Sequence, residues 1–372
     1  MSNAMKVGII GCGNISAAYM RMAAFFTEYD VIACADINED AAAARADEFG
    51  LDARSIDALL GSDDIDVIVN LTIPAAHFEV SKRILEAGKH VYSEKPFILT
   101  LAGGAALAKI AKDANLRIGS APDTFLGGSH QQARTLIDAG TVGAITSGTC
   151  HVMGAGMESW HPNPDFFFLD GAGPVLDIGP YYVTNLIQLI GPVTRVQAIA
   201  NTPQTSRTIA NGARLGETVP VETPTTIHAL LQFASGAVVT LGTSWDVQSH
   251  DHGHMELYGE TGTIYLPDPN FFAGDVSVGT SEGRTVSPAV AHPFAVVNDG
   301  DQANWRGAGL ADMCQAIRQD RPHRCSDALA LHAVEVMTSI LQAAESGASI
   351  TLTTTCDRPA PMSADAAQAL LA

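Results

Sequence analysis

The sequence predicts an α/β domain built on a doubly wound parallel sheet, followed by an α+β domain with a large, mostly antiparallel open sheet. Residues 5–122 alternate apolar strand patterns with helical patterns, and such strands pair in parallel through right-handed crossovers. After about residue 125, strand patterns follow one another with short turns between them, as in antiparallel sheets. We therefore expect two domains, residues 5–124 and 125–372.

The first domain contains five predicted strands and four predicted helices besides the helix that the glycine-rich turn opens. Ser55 is placed to cap a short helix, and Pro74 stands where the first turn of another helix begins. Apolar runs predict strands at residues 7–10, 31–35, 66–71, 90–94 and 117–121. Helical patterns fall between them at residues 38–49, 56–60, 74–88 and 100–115.

The second domain begins with a helical pattern and continues with six strand patterns. Residues 234–237 and 259–262 are predicted hairpin turns, and the polar segment 201–222 is predicted to be a surface loop. The strand patterns cover residues 145–153, 195–200, 226–233, 237–243, 254–258 and 263–266. The helical patterns cover residues 131–139, 181–190, 309–318 and 328–346.

Composition excludes several classes of protein. The 372 residues carry a formal net charge of −19, which argues against binding to nucleic acid or to anionic membrane surfaces. The six cysteines are scattered, a reduced pattern that predicts a cytoplasmic protein. The longest apolar stretches have the length of strands, so no transmembrane helix is expected. Residues 1–4 are interpreted as an expression-tag remnant before a native Met5.

The glycine-rich turn from Gly11 to Ser16 follows the first strand pattern and opens a helix. This arrangement is typical of Rossmann domains, where backbone amides approach a pyrophosphate at the positive end of a helix. Ser16 stands at the position of the usual third glycine, where a small side chain fits. Asp36 ends the second strand about 20 residues further on, where an acid binds the ribose 2′-OH of NAD. We predict NAD rather than NADP, because a 2′-phosphate would meet this carboxylate.

Glu94-Lys95-Pro96 follows the fourth strand pattern. Ligands of open α/β sheets bind beyond the carboxyl ends of the strands, which predicts Lys95 near a nicotinamide. A lysine accepts the proton of a substrate hydroxyl when burial or neighbouring charge lowers its pKa. Pro96 restricts Lys95 to extended geometry. The alternative is a surface lysine in a β–α turn.

A second glycine-rich cluster runs from Gly171 to Tyr182. Asp177 and Tyr181 are four residues apart, so that on a helical turn they share a face. A carboxylate and a phenol beside a lysine form a plausible set for proton transfer. The alternative is that Asp177 caps the following helix.

Two further segments carry polar or aromatic side chains that can bind ligands. In the aromatic loop 160–168, Trp160, His161 and Asn163 suit a sugar ring and its hydroxyls, with packing between domains or subunits as the alternative. Residues 250–254 contain three histidines, but they lack further ligands at a clear spacing. We predict no metal site.

These motifs, together with residues 138–143 and 321–324, resemble the Gfo/Idh/MocA family of sugar and polyol oxidoreductases over nearly the full chain. The resemblance implies a two-domain subunit with its active site between the domains, and a homodimer or homotetramer formed through the C-terminal sheet. It places Lys95 beside the nicotinamide and the substrate, and matches Asp177 to the aspartate of the family's glycine-rich motif. It also matches His77 to a histidine near the cofactor, where the alternative is a surface histidine.

The chain departs from the family pattern at two positions. Many members have histidine where this chain has Tyr181, and asparagine where it has Ala75. Tyrosine has a pKa near 10 and is a poorer base than histidine at neutral pH. We therefore assign the proton transfer to Lys95 and hydrogen bonding to Tyr181.

The sequence thus predicts an NAD-dependent dehydrogenase or reductase. It would move a hydride between nicotinamide and a hydroxyl-bearing carbon of a sugar, inositol or related cyclic polyol. The alternatives are a dihydrodiol dehydrogenase and a non-catalytic NAD-binding regulator. The predicted catalytic residues are Lys95, Asp177 and Tyr181, and the predicted substrate-binding residues are Trp160, His161, Asn163, Asp177 and Tyr181. The predicted cofactor-binding residues are Gly11, Gly13, Asn14, Ile15, Asp36, Thr72, Pro74, His77, Glu94, Lys95 and Pro96.

Overall fold

A computed structural model of the protein describes residues 4–288 and 290–372, so residues 1–3 of the predicted tag remnant lie outside the described residues. The chain divides into two compact units. The first unit comprises the chain as far as residue 131 together with residues 291–334 and 359–372. The second unit comprises residues 132–290 and 335–358. The boundary at residue 124 stays a prediction, since the compact units divide the chain in a different, discontinuous way.

Strands occur in both units. In chain order the described strands are β1 Met5–Ile10, β2 Tyr29–Ala35, β3 Asp52–Ala53, β4 Val67–Asn70, β5 His90–Ser93, β6 Ile118–Ser120, β7 Ile145–Met153, β8 Val193–Asn201, β9 Ser206–Thr208, β10 Thr218–Pro220, β11 Thr226–Phe233, β12 Val238–Ser244, β13 Met255–Gly259, β14 Thr263–Leu266, β15 Ser277–Thr280, β16 Gly283–Val286 and β17 Ile350–Thr351.

Helices follow most strands of the first unit and are fewer in the second. The described α-helices are α1 Ser16–Ala23, α2 Glu39–Phe49, α3 Ile56–Leu60, α4 His77–Glu86, α5 Leu101–Asp113, α6 Gly128–Asp138, α7 Pro174–Asp177, α8 Gly179–Ile190, α9 Ala308–Arg318, α10 Asp327–Ser346 and α11 Ala364–Gln368. The chain passes from one unit to the other within α6 and again within α10.

The first unit is built on a six-stranded parallel sheet with the order β3-β2-β1-β4-β5-β6. Of its central strands, β4 is buried along its whole length and β1 is buried from Val7 onward, as expected when helices cover both faces. Side-chain caps define where helices begin: Asn38, Ser55 and Thr100 accept hydrogen bonds from the first turns of α2, α3 and α5. This sheet confirms the predicted Rossmann architecture.

The second unit is built on a nine-stranded sheet with the order β16-β15-β14-β13-β7-β12-β11-β8-β17. All neighbouring pairs are antiparallel except β7 and β12, which are parallel. Hairpin turns at residues 234–237 and 259–262 join β11 to β12 and β13 to β14, as predicted. The mixed, mostly antiparallel sheet confirms the predicted α+β class.

The segment predicted to be a surface loop, residues 201–222, is partly regular. It forms an antiparallel hairpin of β9 and β10, in which Arg207 pairs with Val219. Val219 and Ile209 are buried with Phe168 and Trp245 in a separate apolar cluster. The prediction of a loop was wrong here because two buried side chains and one buried arginine order an otherwise polar segment.

Candidate active site

The glycine-rich turn lies where the strand order of the first unit reverses, between β1 and β4. Open α/β sheets bind ligands at such a switch point. Gly11 has φ +106°, and a Cβ there would lie 2.6 Å from the backbone of Leu71, so the turn requires glycine. Gly13 is exposed, with open space where a side chain would be, and α1 begins at Ser16. The backbone of this turn therefore fits a pyrophosphate at a helix N-terminus.

Asp36 lies beside the same turn, directly after β2. Its Oδ2 accepts a hydrogen bond from the Cys12 N–H at 2.7 Å, and its Oδ1 accepts one from the Asn38 N–H at 2.8 Å. The carboxylate is half-buried and fixed by these two amides. Both amides hold it at the edge of the turn, where an acid can accept hydrogen bonds from ribose hydroxyls.

The segment after β4 carries Thr72, Pro74 and His77. Thr72 donates a side-chain hydrogen bond to Asn70 at 2.7 Å, while Pro74 is exposed. His77 is fully buried, with Nδ1 2.8 Å from the Pro96 carbonyl oxygen and Nε2 2.9 Å from that of Thr72. The alternative of a surface histidine was wrong. His77 instead joins two of the segments predicted to contact the cofactor.

Glu94, Lys95 and Pro96 follow β5 at the same edge of the sheet. Glu94 is 7% exposed, and its Oε2 accepts a hydrogen bond from the Lys95 N–H at 2.9 Å. Lys95 itself is half-buried. Strands in a sheet are spaced about 4.8 Å apart, so the end of β5 lies roughly 10 Å along the edge from the end of β1. A dinucleotide bound along this edge would meet both the turn and Lys95.

The second unit holds Asp177 and Tyr181, but on two helices rather than one. Asp177 ends α7, and α8 begins at Gly179, with Ile178 as its N-cap residue and no side-chain cap hydrogen bond from it. Tyr181 lies in the first turn of α8 and is 6% exposed, whereas Asp177 is half-buried. The sequence predicted a helix only from residue 181; the structure begins α8 two residues earlier and adds the short α7, with Ile178 between the two helices.

The aromatic loop of the second unit is a cluster of rings in which Trp160 and Phe166 are exposed and Phe168 is buried. His161 makes edge-to-face contacts with Trp160, Phe166 and Phe167 at centroid distances of 5.3–5.5 Å. Its Nδ1 accepts a hydrogen bond from the Asn163 N–H at 3.1 Å, which leaves Nε2 as the protonated nitrogen. Trp160 is 61% exposed. The loop thus presents an aromatic face together with an imidazole N–H.

Two histidines of the segment 250–254 contact side chains of neighbouring elements. The His252 ring lies 4.0 Å from that of His151, and His254 Nδ1 is 3.1 Å from the Tyr182 hydroxyl. Within residues 4–288 and 290–372, no three metal-capable side chains converge on one point. Over the same residues, no helix is both long and apolar enough to cross a lipid bilayer.

Sequence reasoning missed three side chains that surround Glu94 in the first unit. Tyr19 donates a hydrogen bond to Glu94, and the Arg306 guanidinium lies between Glu94 and the buried Asp123. These residues come from four distant parts of the chain, so no local pattern connects them. The sequence does carry a partial signal, because Gly307 and Gly309 flank the start of α9 where the Asp123 carboxylate approaches the backbone.

The fold and the glycine turn define the class: an oxidoreductase with a Rossmann domain that binds NAD. A family model described as "Oxidoreductase family, NAD-binding Rossmann fold" matches residues 5–121, and one described as "GFO/IDH/MocA C-terminal domain" matches residues 130–265. The chain belongs to the Gfo/Idh/MocA family, as the sequence motifs predicted. It is therefore an enzyme, and NAD is its cofactor.

Several relatives of known name are similar to this chain. Levoglucosan dehydrogenase from Pseudarthrobacter phenanthrenivorans is 25% identical over 78% of this chain and 82% of its own length. A dTDP-3,4-didehydro-2,6-dideoxy-alpha-D-glucose 3-reductase from Streptomyces violaceoruber is 27% identical over 92% and 96%. A solved levoglucosan dehydrogenase in complex with NADH and L-sorbose has a TM-score of 0.77 at 22% identity, covering 94% of this chain and 99% of that one.

Proposed function

We propose that this enzyme transfers a hydride between NAD and a hydroxyl-bearing carbon of a sugar or cyclic polyol. The observation that carries the proposal is the placement of Lys95 at the end of β5, on the same sheet edge as the glycine turn and Asp36. The two relatives from Pseudarthrobacter and Streptomyces support the substrate class, because both names describe oxidoreductases of sugars or sugar derivatives.

Lys95 is the proposed proton acceptor. NAD, when bound, would supply at nicotinamide C4 the acceptor for the hydride of the carbinol carbon. The hydroxyl proton then moves to Nζ of Lys95, and the carbon–oxygen bond becomes a carbonyl. In the reverse direction Lys95 returns the proton to the carbonyl oxygen. Because the Lys95 N–H is bound by Glu94, the backbone from which this side chain extends is held in place.

Asp177 and Tyr181 are the proposed substrate-positioning residues of the second unit. A carboxylate accepts hydrogen bonds from sugar hydroxyls, and a phenol both donates and accepts them. Trp160, His161 and Asn163 add an aromatic face and polar groups of the kind that bind a sugar ring. This set favours a hydroxylated ring as substrate, with an aromatic dihydrodiol as the second candidate.

A panel of substrates tests the function. Purified enzyme is mixed with NAD or NADP and with levoglucosan, myo-inositol, common aldoses and an aromatic dihydrodiol, while the absorbance of reduced nicotinamide is followed. We expect reduction of NAD by at least one sugar or polyol. Faster turnover of the dihydrodiol would favour the second candidate. NAD binding without any turnover would favour a regulator that has lost catalysis.

We expect Asp36→Ser to lower the affinity for NAD by about tenfold or more and to reduce the preference for NAD over NADP. The substitution removes a charged hydrogen-bond acceptor, and hydrogen bonds to charged groups contribute about 1.5–3 kcal/mol. It also removes the carboxylate that would repel the 2′-phosphate of NADP. Fluorescence titration with both dinucleotides measures the two dissociation constants. Asp47→Ser, at an exposed position of α2, is the matched control. Tighter binding of NADP than NAD by the unmodified protein would contradict the role of Asp36.

We also propose that the enzyme assembles into a homodimer or homotetramer through its nine-stranded sheet. Three adjacent strands of that sheet, β8, β11 and β12, expose Ile199, Leu230 and Val238 with 80%, 45% and 40% of their surface accessible. Apolar side chains side by side on an open sheet are typical of a surface that another chain covers. A cytoplasmic location is proposed because all six cysteines are buried free thiols.

A further inference from the structure

The carboxylate of Glu94 is the centre of a buried polar network in the first unit. Its Oε1 accepts a hydrogen bond from the Tyr19 hydroxyl at 2.9 Å, and its Oε2 accepts the Lys95 N–H at 2.9 Å. The Arg306 guanidinium lies 3.8 Å from Oε1. Both carboxylate oxygens are therefore engaged, one toward the lysine backbone and the other toward Tyr19 and Arg306.

Arg306 also faces Asp123, which is completely buried. The same Nη1 of Arg306 lies 3.8 Å from Asp123 Oδ1, while Asp123 Oδ2 accepts the N–H groups of Gly307 and Gly309 at 2.9 and 3.2 Å. Burial raises the pKa of Asp123, and the charge of Arg306 opposes that rise. One cation thus faces two carboxylates, and it is anchored at the start of α9.

Tyr19 joins this network to the cofactor side of the unit. It lies on α1, the helix that begins at the glycine turn, and its side chain is buried. Burial, followed by the negative charges of Glu94 and Asp123, raises the pKa of Tyr19, so its hydroxyl stays protonated and donates to Glu94. Glu94 consequently connects the pyrophosphate-binding helix to the backbone of Lys95.

We propose that Tyr19 and Arg306 are positioning residues for Lys95 and act through the carboxylate of Glu94. If either partner is lost, the carboxylate turns toward the other, and the Lys95 N–H loses its acceptor. A displacement of about 1 Å in a catalytic group costs up to roughly 100-fold in rate. The inference rests on the proposed role of Lys95 in proton transfer.

Four single variants and one double variant test the proposal in the full-length enzyme with NAD and whichever panel substrate is turned over. Tyr19→Phe removes a hydrogen bond to Glu94, and Arg306→Met removes the cation that faces it. Each should lower kcat by roughly 5- to 10-fold, with KM and the NAD dissociation constant nearly unchanged. Arg306→Lys, which keeps the charge, should recover part of kcat. In the Lys95→Met background, Tyr19→Phe should change kcat little, because the side chain that Tyr19 helps to position is already gone.

Matched controls separate positioning from stability. Tyr29→Phe changes another buried tyrosine of the first unit, and Arg318→Met removes another ion pair to a buried acid, Glu28. These controls should lower the melting temperature at most, leaving kcat unchanged. Full kcat in Tyr19→Phe and Arg306→Met, with only stability reduced, would overturn the inference. Full kcat in Lys95→Met would overturn the proposed function instead.

A second readout needs no substrate. Pro96 has no amide proton, so amide exchange at the 95–96 dipeptide reports on the Lys95 N–H alone. In the NAD-bound enzyme this proton should exchange faster in Tyr19→Phe and Arg306→Met than in the unmodified protein, and at the unmodified rate in Tyr29→Phe. Equal exchange in all four proteins would contradict a network that holds Lys95 through Glu94.

Discussion

Replacing Lys95 with methionine should lower kcat/KM by about 10²- to 10⁴-fold, the range that a general acid or base contributes. Methionine keeps an apolar stem of similar length, so packing changes little while the proton acceptor disappears. Because the glycine turn and Asp36 are untouched, the dissociation constant for NAD should stay within about twofold of its original value. Initial rates at several substrate concentrations, with NAD affinity from fluorescence, measure both quantities.

Lys109→Met is the matched control for this variant. Its side chain is 74% exposed on α5 and pairs with Asp113, so its loss should leave kcat and KM unchanged. If Lys95→Met retained the turnover of the control, the assignment of Lys95 would be wrong. Tyr181 would then become the leading candidate for proton transfer.

Replacing Arg207 with methionine should destabilise the second unit by about 3–5 kcal/mol, the usual cost of removing one partner of a buried ion pair. Arg207 is 4% exposed and lies between two acids. It binds Glu158 Oε1 at 3.1 Å and also pairs with Asp246, whose other oxygen accepts the Thr225 hydroxyl at 2.8 Å. Its removal leaves the buried Glu158 and the half-buried Asp246 without their shared cation.

Urea unfolding, monitored by circular dichroism, measures this decrease in the free energy of unfolding. The control is Arg195→Met, an exposed arginine on β8 of the same unit, which should change stability by less than about 0.5 kcal/mol. Glu158 lies two residues before Trp160, so Arg207→Met should also raise KM for the substrate. Equal unfolding midpoints for the two variants would show that the buried pair contributes little.

Local patterns predicted most regular elements of this chain. β7, β11 and β14 have the predicted bounds, and in β11 and β14 buried side chains alternate with more exposed ones. The hairpin of β9 and β10 was missed because each strand has three residues and depends on Arg207, whose partners Glu158 and Asp246 are distant in sequence. The parallel pairing of β7 with β12 was also not predicted, because it depends on the order of strands in the whole sheet and not on the sequence of either strand.

The candidate site was predictable wherever a motif is contiguous. The glycine turn, Asp36 and the Glu94–Pro96 segment each follow a predicted strand, and parallel strands bring their carboxyl ends to one edge. Arg306 could not be found in this way, since its partners lie about 180–210 residues earlier and the contact depends on how segment 291–334 joins the first unit. Charged residues that act across such separations have no local sequence period.

Transfer of deuterium from the substrate to NAD tests the proposed hydride transfer. A sugar or polyol from the panel, deuterated at its carbinol carbons, is incubated with the enzyme and NAD, and the reduced cofactor is examined by mass spectrometry and proton NMR. We expect one deuterium at nicotinamide C4, delivered from the substrate carbon, and almost no deuterated cofactor from Lys95→Met in the same time. Reduced cofactor without deuterium, or no reduction by any sugar or polyol while NAD is bound, would contradict it.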